Sequence, residues 1–129
     1  MLKENLPKDV VNIIEKIKKY PEVLAIIIFG SFVKGQHFPI SDIDIAVILK
    51  KVDPKIEGEI GSMYSKDVDV VLFHRLPLYI QFEILRMGVP VLIRDEGEFW
   101  DLAMKISEKY MKFEWIYRDI KKWVRESAN

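Results

Sequence analysis

Two short acidic motifs carry the residues of this sequence that could do chemistry. Asp42 and Asp44 are separated by one residue in the run SDIDIAVIL, and Asp67 and Asp69 are spaced in the same way in DVDVVLF. Side chains alternate between the two faces of a β-strand, so the members of each pair share one face. Neighbouring carboxylates repel each other, and a bound divalent cation offsets that repulsion. If the two strands lie side by side in the sheet, the two motifs can supply ligands to one metal ion.

A solvated strand face is the alternative interpretation of the first motif. A polar face would continue along the strand, but Ala46 and Ile48 follow on the face of Asp42 and Asp44. The acids therefore lie together at one end of a strand that is otherwise apolar on both sides. Aspartate is also depleted in strands, so β propensity does not explain a second acidic strand. Carboxylate ligands without cysteine favour Mg²⁺, with Mn²⁺ as the second candidate.

A glycine followed by serine supplies a candidate phosphate site. Gly30 and Ser31 follow a short apolar run and precede a short predicted helix, for which Ser31 is a suitable N-cap. Glycine lets the backbone approach a phosphate closely, and a helix N-terminus offers free N–H groups. A Gly-Ser pair alone equally indicates a simple strand-to-helix turn. Beside an Asp-x-Asp motif, it indicates phosphoryl or nucleotidyl transfer, in which metal ions neutralise phosphate charge.

The elements that must position these residues alternate between helix and strand. Helical periodicity or capping signals predict helices, and short runs rich in branched residues predict strands. The predicted helices span residues 5–20, 31–35, 54–64, 77–87 and 98–126, and the predicted strands span residues 23–29, 42–49, 67–73 and 89–93. This alternation predicts an α/β fold. The length of 129 residues suits one domain spanning residues 1–129.

Composition excludes several other classes of function. Lys plus Arg equal Asp plus Glu at 20 each, so the basic excess of a dedicated nucleic-acid binder is missing, and nucleic acid is not favoured as the main partner. The chain has no cysteine, which excludes a disulfide framework and thiolate metal sites. His37 and His74 lack the spacing of a zinc site and are interpreted as loop residues. No apolar run is long enough for a membrane span or a signal segment, so we expect a cytoplasmic protein.

These residues resemble the nucleotidyltransferase superfamily that includes DNA polymerase β and kanamycin nucleotidyltransferase. The family motif is Gly-Ser, ten residues, then Asp-x-Asp, and Gly30-Ser31 is followed after ten residues by Asp42 and Asp44. The run FGSFVKG resembles the family's Gly-Ser-x-Ala-Arg-Gly, with Lys34 in the place of the arginine. Lysine keeps the charge but loses the bidentate phosphate fork. More narrowly, the chain looks like a minimal nucleotidyltransferase of the MNT type.

The resemblance implies a fold and a catalytic triad of acids. The fold is a mixed four-stranded sheet with helices packed on it and a long C-terminal helix. By the same resemblance, Asp42 and Asp44 hold Mg²⁺ and the triphosphate of ATP, and Asp69 is the third acid, which activates the acceptor hydroxyl. Asp67 shares the face of Asp69, so the choice between them rests on the family pattern.

The resemblance also implies phosphate ligands and a protein partner. Gly30 and Ser31 would contact the phosphates, with Lys34 as a neighbouring cation. Family members of this size are often paired with a HEPN-domain toxin, and the MNT protein adenylylates a tyrosine of that toxin and silences its RNase activity. This chain is therefore expected to be an antitoxin with a HEPN toxin as its partner.

The last predicted helix has two apolar stripes, more apolar surface than packing on one side requires. The first stripe consists of Phe99, Leu102, Ala103, Ile106, Tyr110, Phe113, Tyr117, Ile120 and Val124. The second stripe consists of Trp100, Met104, Met111 and Trp115. A protein partner is one explanation, and packing of both stripes within the domain or in a homodimer is the other. Two further functions stay open: transfer to a small hydroxylated molecule such as an aminoglycoside, and a nucleotide-binding module that blocks a partner without catalysis.

Overall fold

The structure is a computed structural model, and it describes residues 6–30 and 43–127. Its elements in chain order are α1 (Lys8–Lys18), β1 (Val23–Phe29), β2 (Ile43–Leu49), α2 (Pro54–Gly61), β3 (Val68–Leu72), a 3₁₀ turn (Phe73–Arg75), α3 (Leu78–Met87), β4 (Val89–Ile93) and α4 (Glu96–Ser127). The predicted elements in these ranges are confirmed with small shifts at their ends. The predicted helix 31–35 lies outside the described residues.

The strands form one mixed four-stranded sheet in the order β3-β2-β1-β4. β1 is antiparallel to β2 and to β4, whereas β2 and β3 are parallel. β4 is an edge strand, as its Pro90 predicted, because proline has no N–H to donate to a neighbouring strand. The sheet confirms the predicted α/β fold. Because β2 and β3 are parallel, their first residues lie at the same end of the sheet.

Helices cover both faces of the sheet. α1 and Ile60 of α2 pack on the face that carries Ile45 and Val47 of β2. α3 and the first part of α4 pack on the opposite face, which carries Ala46 and Ile48. Six of the seven residues of β1 are buried, because the strand lies between two neighbours and two helical layers. The two central strands are thus fixed by burial on both faces.

A buried carboxylate joins α2 to the turn after β3. Glu57 accepts a hydrogen bond of 2.8 Å from Nε of Arg75 and lies 3.0 Å from Nε2 of His74. The bond from Arg75 lowers the pKa of the Glu57 carboxyl, against the opposing effect of burial, and the charges of His74 and Arg75 lower it further. His74 was predicted to lie in a loop and instead belongs to the 3₁₀ turn. The ion pair connects two elements that the sequence pattern treats separately.

The last helix extends well past the sheet. α4 has 32 residues and is therefore about 48 Å long. Its buried residues, Phe99, Ala103 and Ile106, all lie in its first third. Tyr110 stacks on Phe82 of α3, with ring centroids 4.2 Å apart. Beyond this stack the apolar side chains are exposed, and we call them the distal surface: Met111, Phe113, Trp115, Ile116, Tyr117, Ile120, Trp123 and Val124.

The distal surface contains members of both predicted stripes, so neither stripe packs on the domain along its whole length. Trp100 and Met104 of the second stripe are also exposed, nearer the start of α4. Across residues 6–30 and 43–127, the structure has no helix with the length and apolar character that crossing a membrane requires.

Candidate active site

Two aspartates from neighbouring parallel strands lie side by side. Asp44 of β2 is the register partner of Asp69 of β3, and hydrogen-bonded strands are about 4.8 Å apart. Both residues belong to the face covered by α3 and α4, because Ala46 and Val71, two positions further along each strand, pack in that core. Asp44 is half-buried and Asp69 is exposed. The pair thus combines an enclosed carboxylate with one that an incoming group can reach.

Asp67 occupies a different position. It lies in the turn before β3, and its carbonyl oxygen accepts a hydrogen bond of 3.0 Å from the N–H of Ile43. Its side chain is exposed. The structure therefore places Asp69, rather than Asp67, opposite Asp44 in the sheet.

Gly30 closes the other side of Asp44. Phe29 at the end of β1 is the register partner of Asp44, and Gly30 follows with φ +96°, a conformation that favours glycine. A Cβ placed on Gly30 would lie 2.2 Å from Oδ2 of Asp44. The bare backbone of Gly30 is therefore what leaves room for this carboxylate at the strand end.

The remaining predicted site residues lie outside the described residues. These are Ser31, Lys34 and Asp42, together with His37. In the part of the chain that the structure describes, no three histidine, aspartate or glutamate side chains are grouped so that they could hold a metal ion. Asp44 and Asp69 supply two carboxylates, so the predicted metal site depends on a further ligand such as Asp42.

A cavity of about 300 Å³ opens beside Gly30. Phe29 and Gly30 line one side, and Tyr79, Ile80, Glu83 and Met87 of α3 line the other. This cavity was not predictable from the sequence, because the spacing of these α3 residues indicates only an amphipathic helix. Their position against the end of β1 depends on how α3 packs across the sheet.

An α/β domain that presents neighbouring strand-end carboxylates beside an open glycine is typical of enzymes that transfer nucleotidyl groups. The comparisons with known proteins agree with this class. The chain belongs to the polymerase β nucleotidyltransferase family, whose sequence model, described as "Polymerase beta, Nucleotidyltransferase", matches residues 11–97. The prediction of a nucleotidyltransferase is thereby confirmed.

Individual relatives are consistent with this assignment. MJ1547 of Methanocaldococcus jannaschii, which carries the provisional name of a protein adenylyltransferase, is 33% identical over 108 residues, covering 82% of this chain and 79% of the relative. A toxin–antitoxin structure with AMP-PNP matches with a TM-score of 0.69 and 23% identity, covering 92% of this chain and 98% of the other. A complex of tri-AMPylated Shewanella oneidensis HEPN toxin with MNT antitoxin matches with a TM-score of 0.63 and 22% identity, covering 90% and 98%. These structures confirm the predicted fold.

Gly30→Ala tests the close approach of Gly30 to Asp44. A methyl group there meets Oδ2 of Asp44 and forces a side chain into a positive-φ conformation, which costs about 1–3 kcal/mol of stability. Because small displacements of catalytic groups are costly, we expect transfer activity to fall by about 100-fold. The measurements are a denaturant titration and a labelled-ATP transfer assay.

Gly58→Ala is the matched control. A Cβ on Gly58 meets nothing within 4 Å, and alanine is the better helix former in α2. This variant should keep full activity and gain slightly in stability. Equal activity of Gly30→Ala and Gly58→Ala would show that Gly30 has no part in the site.

Proposed function

We propose that the chain is an Mg²⁺-dependent adenylyltransferase that moves AMP from ATP to a tyrosine hydroxyl of a HEPN-type RNase toxin and so acts as its antitoxin. The observation that carries the proposal is the register pairing of Asp44 with Asp69 beside the open backbone of Gly30. The names of MJ1547 and of the AMPylated toxin complex support the reaction and the acceptor. The absence of cysteine suits the cytoplasm, where we propose that the reaction takes place.

The residues present fit a hard cation. Asp44 offers carboxylate oxygen at a strand end, and Asp42 adds a second carboxylate two residues earlier in the sequence. Oxygen ligands are those that Mg²⁺ and Mn²⁺ prefer. When bound, the ion neutralises charge on the triphosphate. Gly30 then allows the phosphates to approach the backbone, and Ser31 and Lys34 are proposed as further phosphate contacts.

The exposed carboxylate of Asp69 is proposed to accept the proton of the acceptor hydroxyl. The hydroxyl oxygen forms a bond to the α-phosphorus, the bond from that phosphorus to the pyrophosphate oxygen breaks, and pyrophosphate leaves with its electron pair. The exposure of Asp69 suits a general base, because the acceptor hydroxyl must reach this carboxylate from outside the domain. Asp44 would hold the ion, and Asp69 alone is assigned the proton.

Mass spectrometry of the co-expressed pair tests the proposed function. With the wild-type chain, the HEPN partner should be heavier by one or more AMP units on a tyrosine. With Asp42→Asn, the added mass should be missing. An unmodified partner beside a wild-type chain that binds ATP would contradict protein adenylylation, and transfer to small hydroxylated molecules would then be assayed.

Trp115→Ala tests the distal surface as the site of partner binding. Trp115 is 67% exposed, and large exposed apolar patches mark interfaces in which aromatic residues dominate the binding energy. We expect the variant to weaken association with the toxin by about 2 kcal/mol or more, the threshold of a hot spot. Calorimetry of the purified proteins measures the change.

Tyr64→Ala is the control for Trp115→Ala. Tyr64 is 69% exposed but lies after α2, away from α4. Its loss should leave association unchanged, and neither variant should alter the binding of MgATP. Equal affinities of Trp115→Ala and wild type would place the partner elsewhere.

A further inference from the structure

We propose that the cavity between Gly30 and α3 binds the nucleobase of the substrate, and that Glu83 selects bases carrying an exocyclic amine. The proposal rests on the proposed function, because it places the base of the nucleotide whose phosphates lie at Asp44. It adds a specificity-determining residue that lies on α3, outside the Gly-Ser and Asp-x-Asp motifs.

The position of the cavity fits the base rather than the acceptor. Gly30 lines the cavity and also lies against Oδ2 of Asp44, so the cavity begins beside the carboxylate proposed to hold the phosphates. In the sheet order β3-β2-β1-β4, Asp69 lies on one side of Asp44 and the cavity on the other. Asp69 on β3 and the cavity at the end of β1 are about 10 Å apart, the width of two strand spacings. An acceptor activated by Asp69 therefore approaches from the side away from the cavity.

The lining of the cavity fits a flat aromatic ring. Phe29, Ile80 and Met87 make much of its wall apolar. Tyr79, which is 60% exposed, offers an aromatic face on which a base can stack. A volume of about 300 Å³ lies at the lower end of small-ligand pockets and accommodates a purine. A triphosphate is disfavoured there by the apolar wall and by the negative charge of Glu83.

Glu83 gives the cavity a preference among bases. An ionised carboxylate only accepts hydrogen bonds, so it attracts an amino group and repels a carbonyl oxygen. Nη2 of Arg86 lies 3.7 Å from Oε1 of Glu83, and the glutamate side chain is 49% exposed. At that separation Arg86 partly offsets the negative charge of Glu83, and the carboxylate still accepts a hydrogen bond from a bound base. The 6-amino group of adenine is the matching donor.

Equilibrium binding of two nucleotides tests this preference without relying on transfer. The probes are MgATP and the magnesium complex of purine riboside triphosphate, which lacks only the 6-amino group. Wild type should bind ATP about tenfold more tightly, the effect of one hydrogen bond to a charged group. Glu83→Ala should bring the two affinities within about twofold, mainly by weakening ATP. Tyr79→Ala should weaken both nucleotides alike, because stacking does not depend on the amine.

Glu108→Ala is the matched control, since Glu108 is exposed on α4 and does not line the cavity. It should keep the wild-type ratio of affinities. A wild-type ratio near one, or an unchanged ratio in Glu83→Ala, would overturn the assignment of Glu83. Failure of the proposed function has a different signature, because the preference for ATP would persist while the partner stayed free of AMP.

Discussion

Asp44→Asn is expected to abolish nucleotidyl transfer and to leave the fold intact. The substitution removes a carboxylate that faces Asp69 across β2 and β3, so it removes a proposed metal ligand and also relieves repulsion between like charges. In the absence of metal, the variant should still unfold in one cooperative transition, as expected if the fold is intact. At MgATP one hundred times its dissociation constant, wild type should gain about 2.7 kcal/mol of stability, and the variant much less.

Labelled-ATP transfer and thermal melting with and without MgATP provide the measurements. Asp42→Asn should behave like Asp44→Asn. Asp101→Asn serves as the control, because Asp101 is exposed on α4, and it should match wild type in both assays. If Asp44→Asn transferred AMP at the wild-type rate, Asp42 and Asp44 would not form a metal site.

Asp69→Asn has the second large expected effect, and it separates chemistry from binding. If Asp69 accepts the proton of the acceptor hydroxyl, its loss should lower transfer by about 100- to 10,000-fold, the range for general bases. Appreciable stabilisation by MgATP should persist, because interactions that act in the transition state contribute little to ground-state affinity. Single-turnover transfer and the ligand-induced shift in melting temperature measure the two effects.

Asp67→Asn is the natural comparison, because Asp67 lies two residues earlier and outside the β2–β3 ladder. It should be milder than Asp69→Asn in both assays. A larger loss of transfer in Asp67→Asn would show that the wrong carboxylate was assigned as the third acid.

The arrangement of Asp44 and Asp69 was accessible from sequence because it depends on local rules. Alternation along a strand places each aspartate on a known face, and short apolar runs mark the strands that carry them. The same rules overestimated β3, since residues 67 and 73 are spaced like strand residues but lie in the turns at its ends. Strand ends depend on which neighbour is available for pairing, and one sequence does not contain that information.

Features that depend on packing between distant elements were missed. The cavity requires α3 to lie against Gly30, and the pairing of Glu57 with Arg75 spans 18 positions in sequence. The extent of the distal surface was also hidden. Periodicity shows which residues share a stripe. It does not show that a helix of about 48 Å extends beyond a sheet whose strands have five to seven residues.

The separation of α4 into a buried first third and an exposed remainder has a consequence for how such proteins evolve. Phe99, Ala103 and Ile106 anchor the helix, whereas substitutions at positions such as Trp115 or Ile120 remove no contact from the core. Substitutions at exposed positions of this kind change the free energy of unfolding by only about 0.5 kcal/mol. The distal surface can therefore diverge while the catalytic domain remains unchanged. If the distal surface binds the partner as proposed, gene duplicates can acquire new partner preferences one residue at a time, without passing through an unfolded or inactive ancestor.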